Sequence, residues 1–432
     1  MGKNKLNIQS VCSYFHIACT LFLFGNILFY YSAFTQYGLI LFFVSFVADY
    51  IASKRWNKGF CLNKTRIISL LLLLQFVLLL VYSLFETDTR YLSTFYEYRF
   101  SLLGFGIVGL LGVSDKFKVR HFAYASLLAV VAFVILLYKE LPLDFWQLQS
   151  IKLKLIVVSR CRALNICSHM LLSVFLCVGM ILFTKVIEIS KYKAEKALAV
   201  FIILIFFLLV ITSQGRVGMM NACIVLGCIF LRFASKKLRY LIPSIVVLFL
   251  AVTAGCAFLF TDNEFKNEMP ALNKANPREF VWQDGVEIIK ESPFIGVGAS
   301  TNALRVKEKL LNDEQLCGME KFLIDHLKQD HVFAMHTHNQ IMQSWQEYGI
   351  IGLLAILGLF ASIVWASRGS FSLMLIFLVI FIQLITDVID GSVGNLGFSM
   401  YIYLMLVLIC SKQMGKEQVS GSKGALSSPS NA

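Results

Sequence analysis

Two kinds of side chain stand out because apolar chain surrounds them. Arg216, in Ser213-Gln214-Gly215-Arg216-Val217-Gly218, separates two long apolar runs with almost no loop between them. A guanidinium there sits at the edge of a hydrophobic layer, where charge is costly and usually marks a functional cavity. Arginine is also the side chain best shaped to grip a phosphate through two parallel hydrogen bonds. The plainer reading is an interfacial arginine that snorkels to lipid headgroups. The second kind is histidine. Four of the seven fall in one short stretch, His326, His331, His336 and His338, and the last two open an apolar run as Met335-His336-Thr337-His338-Asn339-Gln340. An imidazole at the mouth of a helical bundle can take a proton near neutral pH. Zinc ligation and helix capping compete with that reading, although the spacing matches no strong metal signature.

Other groups fall near these. Arg278 begins an amphipathic stretch, Pro277-Arg278-Glu279-Phe280-Val281-Trp282, that runs to Pro293. It is followed by Phe294-Ile295-Gly296-Val297-Gly298, whose glycines predict a tight turn or a close backbone approach. No strand precedes this GxG, so it is not read as a nucleotide site. Asp387 and Asp390 close a later apolar run and share one helical face at a spacing of i,i+3. They could orient a histidine or arginine, or simply cap a helix. Arg160 and Arg162 lie in another polar segment, with Lys152 and Lys154 beside them.

The elements that must position these groups follow from composition. The chain has 432 residues, 58% hydrophobic and 15% charged, with a mean hydropathy of +0.72. Soluble domains are nearer 45–50% apolar and about 25% charged. A soluble globular enzyme, a disordered chain and a disulfide-stapled secreted domain are therefore excluded. Eleven cysteines without a CxxC, most of them inside apolar runs, make neither a disulfide framework nor a zinc site. The expected fold is all-α, a polytopic membrane protein of about 12 transmembrane helices with a large, partly helical loop on the outer side, which the resemblance given below makes periplasmic. The net charge of +13 is explained by basic cytoplasmic loops, without nucleic acid.

About 20 apolar residues cross a bilayer. Twelve such runs occur, at roughly 12–32, 37–52, 67–85, 100–113, 122–138, 165–185, 197–212, 217–233, 240–260, 339–366, 370–387 and 395–411. With both termini cytoplasmic, 22 Lys and Arg residues fall on the inner side against eight in short outer segments. The expected division is residues 1–260 for the first nine helices, 261–338 for the periplasmic loop, 339–411 for the last three helices, and 412–432 for a disordered cytoplasmic tail. Helical periodicity within the loop falls near 279–291 and 304–328. This topology puts Arg216, Arg278, His336, His338, Asp387, Arg160 and Arg162 on one face. Basic groups to hold an anion, a candidate base and an outer lid suit transfer from a phosphate-activated lipid. A transporter would need charged residues deep in several spans, and most of these runs lack them.

One pattern is recognisable. His338-Asn339, nine residues, Gly349, two residues and Gly352 resembles the signature of the O-antigen ligase family, within the wider ligase/polymerase superfamily. The surrounding HTHNQIMQSWQEYGIIGLL, together with PREFVWQDGVEIIKESPFIGVG and SQGRVG, resembles that family's text over about 212–355.

The resemblance implies an inner-membrane glycosyltransferase working at the periplasmic face without metal, nucleotide or other cofactor. Its partners would be an undecaprenyl-pyrophosphate-linked glycan donor, a lipid A–core acceptor and membrane lipids. By motif, Arg216 and Arg278 would hold the donor pyrophosphate and His338 would act as general base. Asn339, Asp387 and His336 would support the site. Gly349 and Gly352 would be the motif glycines. Arg160 and Arg162 lie in the region for a further phosphate contact, where the local text matches only weakly. A polysaccharide polymerase or a protein O-oligosaccharyltransferase of the same superfamily remains the alternative.

Overall fold

The structure is a computed structural model. It describes residues 7–29, 33–57, 61–86, 89–138, 169–213, 216–235, 277–312, 337–386 and 396–411. Among these residues all extended regular structure is helical. The helices are α1 (Ile8–Gly25), α2 (Ala33–Ala52), α3 (Lys64–Ser83), α4 (Leu92–Leu111), α5 (Val119–Tyr138), α6 (His169–Ile189) and α7 (Lys193–Ser213). After them come α8 (Arg216–Ala234), α9 (Pro277–Glu291), α10 (Ala299–Asn312), α11 (Gln340–Ser367), α12 (Phe371–Thr386) and α13 (Leu396–Cys410).

Helices therefore occupy eleven of the twelve apolar runs, and the run at 240–260 lies outside the described residues. Six stretches are long and apolar enough to cross a membrane: Ile8–Phe29, Lys64–Ser83, Val119–Leu137, Leu171–Ile189, Val217–Ala234 and Gln340–Ser367. Tyr37–Ala52, Phe371–Ile385 and Leu396–Cys410 are apolar but shorter. The protein is thus a helical membrane protein. The fourth run differs most from expectation. Helix α4 starts at Leu92, eight residues before the apolar run, and takes in Glu97 and Arg99. Arg99 is nevertheless buried, because a partner on a distant helix neutralises it, as described below.

Two helices form the middle of the bundle. Helix α6 is enclosed along most of its length by α5, α7, α8 and α12. Helix α13 is buried from Leu396 through Leu408 and packs on α3, α4 and α12. The surrounding helices leave apolar side chains bare, among them Leu80 and Val81 on α3, Leu204 and Leu208 on α7, and Ile351 and Leu354 on α11. Bare apolar surface of this kind suits lipid, which offers no penalty for exposing it.

Of the 261–338 insert, α9 and α10 are described, together with the two residues that precede Asn339. The two helices pack as a hairpin beside the start of α11. On their outer side Arg305 pairs with Glu291 at 2.8 Å and Lys309 with Glu287 at 2.8 Å. Ala299 and Ala303 of α10 seat on Leu78, Leu79, Phe95 and Tyr348, so small side chains let this hairpin sit close on α3, α4 and α11.

Candidate functional site

Helix α11 is built in two parts. Asn339 is its N-cap, with the side-chain oxygen accepting from the amides of Ile341 at 3.0 Å and Met342 at 3.1 Å. This satisfies two of the four donors that a helix start leaves open. Immediately before it, His338 has φ 52, a left-handed conformation that non-glycine residues seldom adopt. Such backbone persists where the surroundings over-determine it, and it clusters at functional sites. The imidazole is half-buried and Thr337 is fully buried.

Nine residues into the helix the backbone breaks at Gly349, with φ 59 and ψ −149. The break is filled by the loop between α9 and α10. Val297 donates to the Gln346 carbonyl at 2.8 Å and Gly298 to that of Glu347 at 2.9 Å. Ile350, whose amide would meet Gln346 in an unbroken helix, donates instead to the Phe294 carbonyl at 3.2 Å. Gly296 and Gly298 have φ 80 and 84, so the GxG is a tight turn and a close approach, as its composition predicts. Gly352 lies inside the bend, where a Cβ would stand 2.1 Å from the Ser344 carbonyl oxygen. The two motif glycines thus have separate tasks: one turns the chain, and the other lets its two parts close on each other.

Below the cap, this part of α11 carries polar side chains inward: Gln340, Gln343, Ser344, Gln346 and Glu347 are all buried. Arg99 of α4 donates to Glu347 Oε1 at 2.8 Å and also to the Tyr348 hydroxyl. Gln343 Nε2 donates to the same Glu347 oxygen at 2.9 Å. The Tyr82 hydroxyl donates to the Tyr348 carbonyl at 3.1 Å. A buried ion pair of this kind adds modestly to stability, yet loss of one partner costs about 3–5 kcal/mol, because the other charge stays buried. Glu86, just past α3, accepts from the amides of Ala299 at 2.7 Å and Ser300 at 2.9 Å, and so caps α10. Burial pushes its carboxyl above the ordinary range, and those two amide bonds partly offset the rise.

The sequence singled out none of Glu86, Arg99, Glu347 and Tyr348. A signal was present for two of them: Arg99 and Glu347 are charges inside or against expected spans, and such charges want partners.

Helix α12 relates the candidate arginine of α8 to the histidine. Near one end Arg232 lies over the Phe371 ring at 5.3 Å. Further along, Asn221 Nδ2 reaches the Val379 carbonyl at 3.5 Å. The two helices therefore run antiparallel. Continuing from Asn221 to Arg216, about 7.5 Å at helical rise, brings the Arg216 backbone level with the last turn of α12. At that same turn Asn339 Nδ2 reaches the Ile385 carbonyl at 3.5 Å. The start of α8 at Arg216 and the His338–Asn339 cap of α11 thus lie level with the same end of α12.

Helix α9 lies along the start of α11. A Cβ on Gly285 would stand 2.5 Å from Gln346 Nε2 and 3.2 Å from Thr337 Cγ2, so glycine permits that approach. Arg278 is the second residue of α9, about 10 Å of helix before Gly285. Arg216 and Arg278 are located by their backbones alone. Arg160, Arg162, His336 and Asp387 lie outside the described residues, as do His326 and His331. Among the described residues, no three His, Cys, Asp or Glu side chains converge as a metal would need.

The comparisons with known proteins bear on this same stretch. Residues 199–357 match the family model described as O-Antigen ligase. The match covers less than half of the chain, and it makes this segment similar to the O-antigen ligase family. It runs from α7 through the hinge of α11 and includes Arg216, Arg278, His338, Gly349 and Gly352. No curated protein matches the chain significantly. That likeness points to glycosyltransferase-like activity on lipid-linked glycans.

Proposed function

We propose that the protein is an O-antigen ligase of the bacterial inner membrane. It transfers a glycan from undecaprenyl pyrophosphate to a sugar hydroxyl of lipid A–core at the periplasmic face. The observation that carries this reading is that one family match spans all three groups the chemistry requires: Arg216, Arg278 and His338. In the reaction, His338 takes the proton from the acceptor hydroxyl. The freed oxygen attacks the anomeric carbon and the glycosyl–phosphate bond breaks, its electron pair passing to the pyrophosphate. Arg216 and Arg278 neutralise the charge that builds on that leaving group, and contacts that strengthen as charge develops lower the barrier. In-line attack inverts the anomeric centre. The activated donor bond supplies the driving force, so neither nucleotide nor metal is called for.

The test is reconstitution of the purified protein with defined donor and acceptor. General-base catalysis typically contributes 10²–10⁴-fold, so His338→Ala is expected to lose about that much transfer while remaining inserted and folded. Full activity in that variant removes the base assignment. Activity that vanishes with chelator and returns with zinc replaces it with a metal mechanism. A polymerase or a protein O-oligosaccharyltransferase shares the donor chemistry and differs in acceptor. A deletion strain that accumulates long lipid-linked polymer uncoupled from core supports the ligase. One that makes core bearing a single repeat supports the polymerase.

A further inference from the structure

Helices α3 and α11 define a slab. At one end Lys64 Nζ stands 4.8 Å from the Trp365 ring centroid and 3.5 Å from that residue's carbonyl oxygen. At the other, Tyr82 meets the Tyr348 carbonyl. Between these ties α3 has 20 residues, about 30 Å of helix, and α11 below its hinge has 18, about 27 Å. Both match one hydrocarbon thickness. The Gly349 hinge therefore lies at a bilayer surface, and the polar part of α11 stands above it.

The α9–α10 hairpin stands on that surface beside the polar part of α11. Gly285 of α9 lies against Thr337 and Gln346, and the turn that ends α9 lies against Gly349, so α9 descends toward the membrane. Helix α10 starts at the Glu86 cap and climbs back, with Lys309 beside Glu287. The tip of the hairpin is Pro293-Phe294-Ile295-Gly296. It is pinned, because Trp345 Nε1 donates to the Pro293 carbonyl at 2.9 Å and Ile350 to that of Phe294. Yet Phe294 is 74% exposed and Ile295 70%. Leu84 and Phe85, just past the end of α3, are equally bare, and Ile351 continues the exposed apolar surface down α11.

We propose that this tip is a membrane-docking element: Phe294 and Ile295 insert among the acyl chains of the adjoining leaflet, so that the outer hairpin rests on lipid at the hinge. Continuity with the lipid-facing surface of α3 and α11 identifies acyl chains as the occupant. The backbone bonds at Gly349 hold the two side chains at that depth. The inference does not depend on the reaction the protein catalyses.

The test places single tryptophans in the full chain, reconstituted into phosphatidylcholine vesicles with or without brominated acyl chains. Bromine quenches only indoles that reach the chains, and each signal is taken as the difference from the unsubstituted protein. Phe294→Trp is expected to be quenched like Leu354→Trp, within the span, and at least twofold more than Asn312→Trp, at the raised end of α10. Quenching at 294 that stays closer to the Asn312 value overturns the proposal. Ile295→Trp asks the same question if Phe294→Trp fails to insert.

Discussion

Gly296 and Gly349 meet backbone to backbone: a Cβ on Gly296 would stand 2.4 Å from the Gly349 amide nitrogen. The two residues are far apart in the chain, one in the 261–338 insert and one inside the helix that follows His338. Their contact replaces hydrogen bonds that α11 would otherwise make with itself. The hinge and the α9–α10 hairpin are therefore a single structure, and neither forms as described without the other.

Gly349→Ala is expected to lose about 2–4 kcal/mol of stability, combining left-handed strain with overpacking. Its Cβ would stand 2.2 Å from the Phe294 carbonyl oxygen. Thermal unfolding in detergent measures the loss. Gly358→Ala, further along the same helix, meets nothing nearer than 3.7 Å. It is expected to be neutral or to gain up to about 1 kcal/mol from helix propensity. Equal effects of the two would contradict the hinge.

Arg99→Met leaves Glu347 buried without its guanidinium and is expected to cost about 3–5 kcal/mol. Combining it with Glu347→Gln removes the stranded charge, so the double variant is expected to unfold at a higher temperature than Arg99→Met alone. A double variant as unstable as the sum of the two singles would show that the pair is not coupled.

Glu86 makes stability depend on pH. Its folded carboxyl titrates above the ordinary range of an exposed glutamate, mainly through burial. Between the unfolded and folded values the folded chain holds a proton that the unfolded chain has released. The contribution is therefore full below the unfolded value and is lost as pH rises through the folded one. Unfolding temperatures followed upward from pH 4.5 are expected to fall more steeply in the parent than in Glu86→Gln. Parallel curves would discard the assignment.

Arg216→Lys keeps the charge but loses the planar fork, so transfer is expected to fall by at least tenfold if that side chain grips a diphosphate at two oxygens. Steady-state transfer with purified donor measures this. Equal rates for lysine and arginine would remove the clamp.

The helices were legible because lipid-facing and core-facing positions are both apolar, so each span reads as an unbroken run. Helix α4 shows the limit. Arg99 sits 248 residues from Glu347, and no local window shows that its charge is neutralised, so the apolar run began one residue too late to include it. The GxG was readable as a close approach but its partner was not, since Gly349 is identified only by the motif it shares with His338. Glu86 lies just past an apolar run with nothing local to mark it, and its task appears only when α10 is seated above it. For Arg216 and His338 residue type and position suggested the chemistry, and for Arg278 only the family resemblance did, while the folded chain adds that the start of α8 and the cap of α11 are level with the same end of α12.

The polar part of α11 is a stalk of nine residues, up to about 14 Å tall, between the hinge and the imidazole. Under the proposed reaction, an acceptor would have to meet His338 at that elevation. Selection would then act on reach as well as identity: a nucleophile on too short a stem would stay below the imidazole however well its own ring fitted.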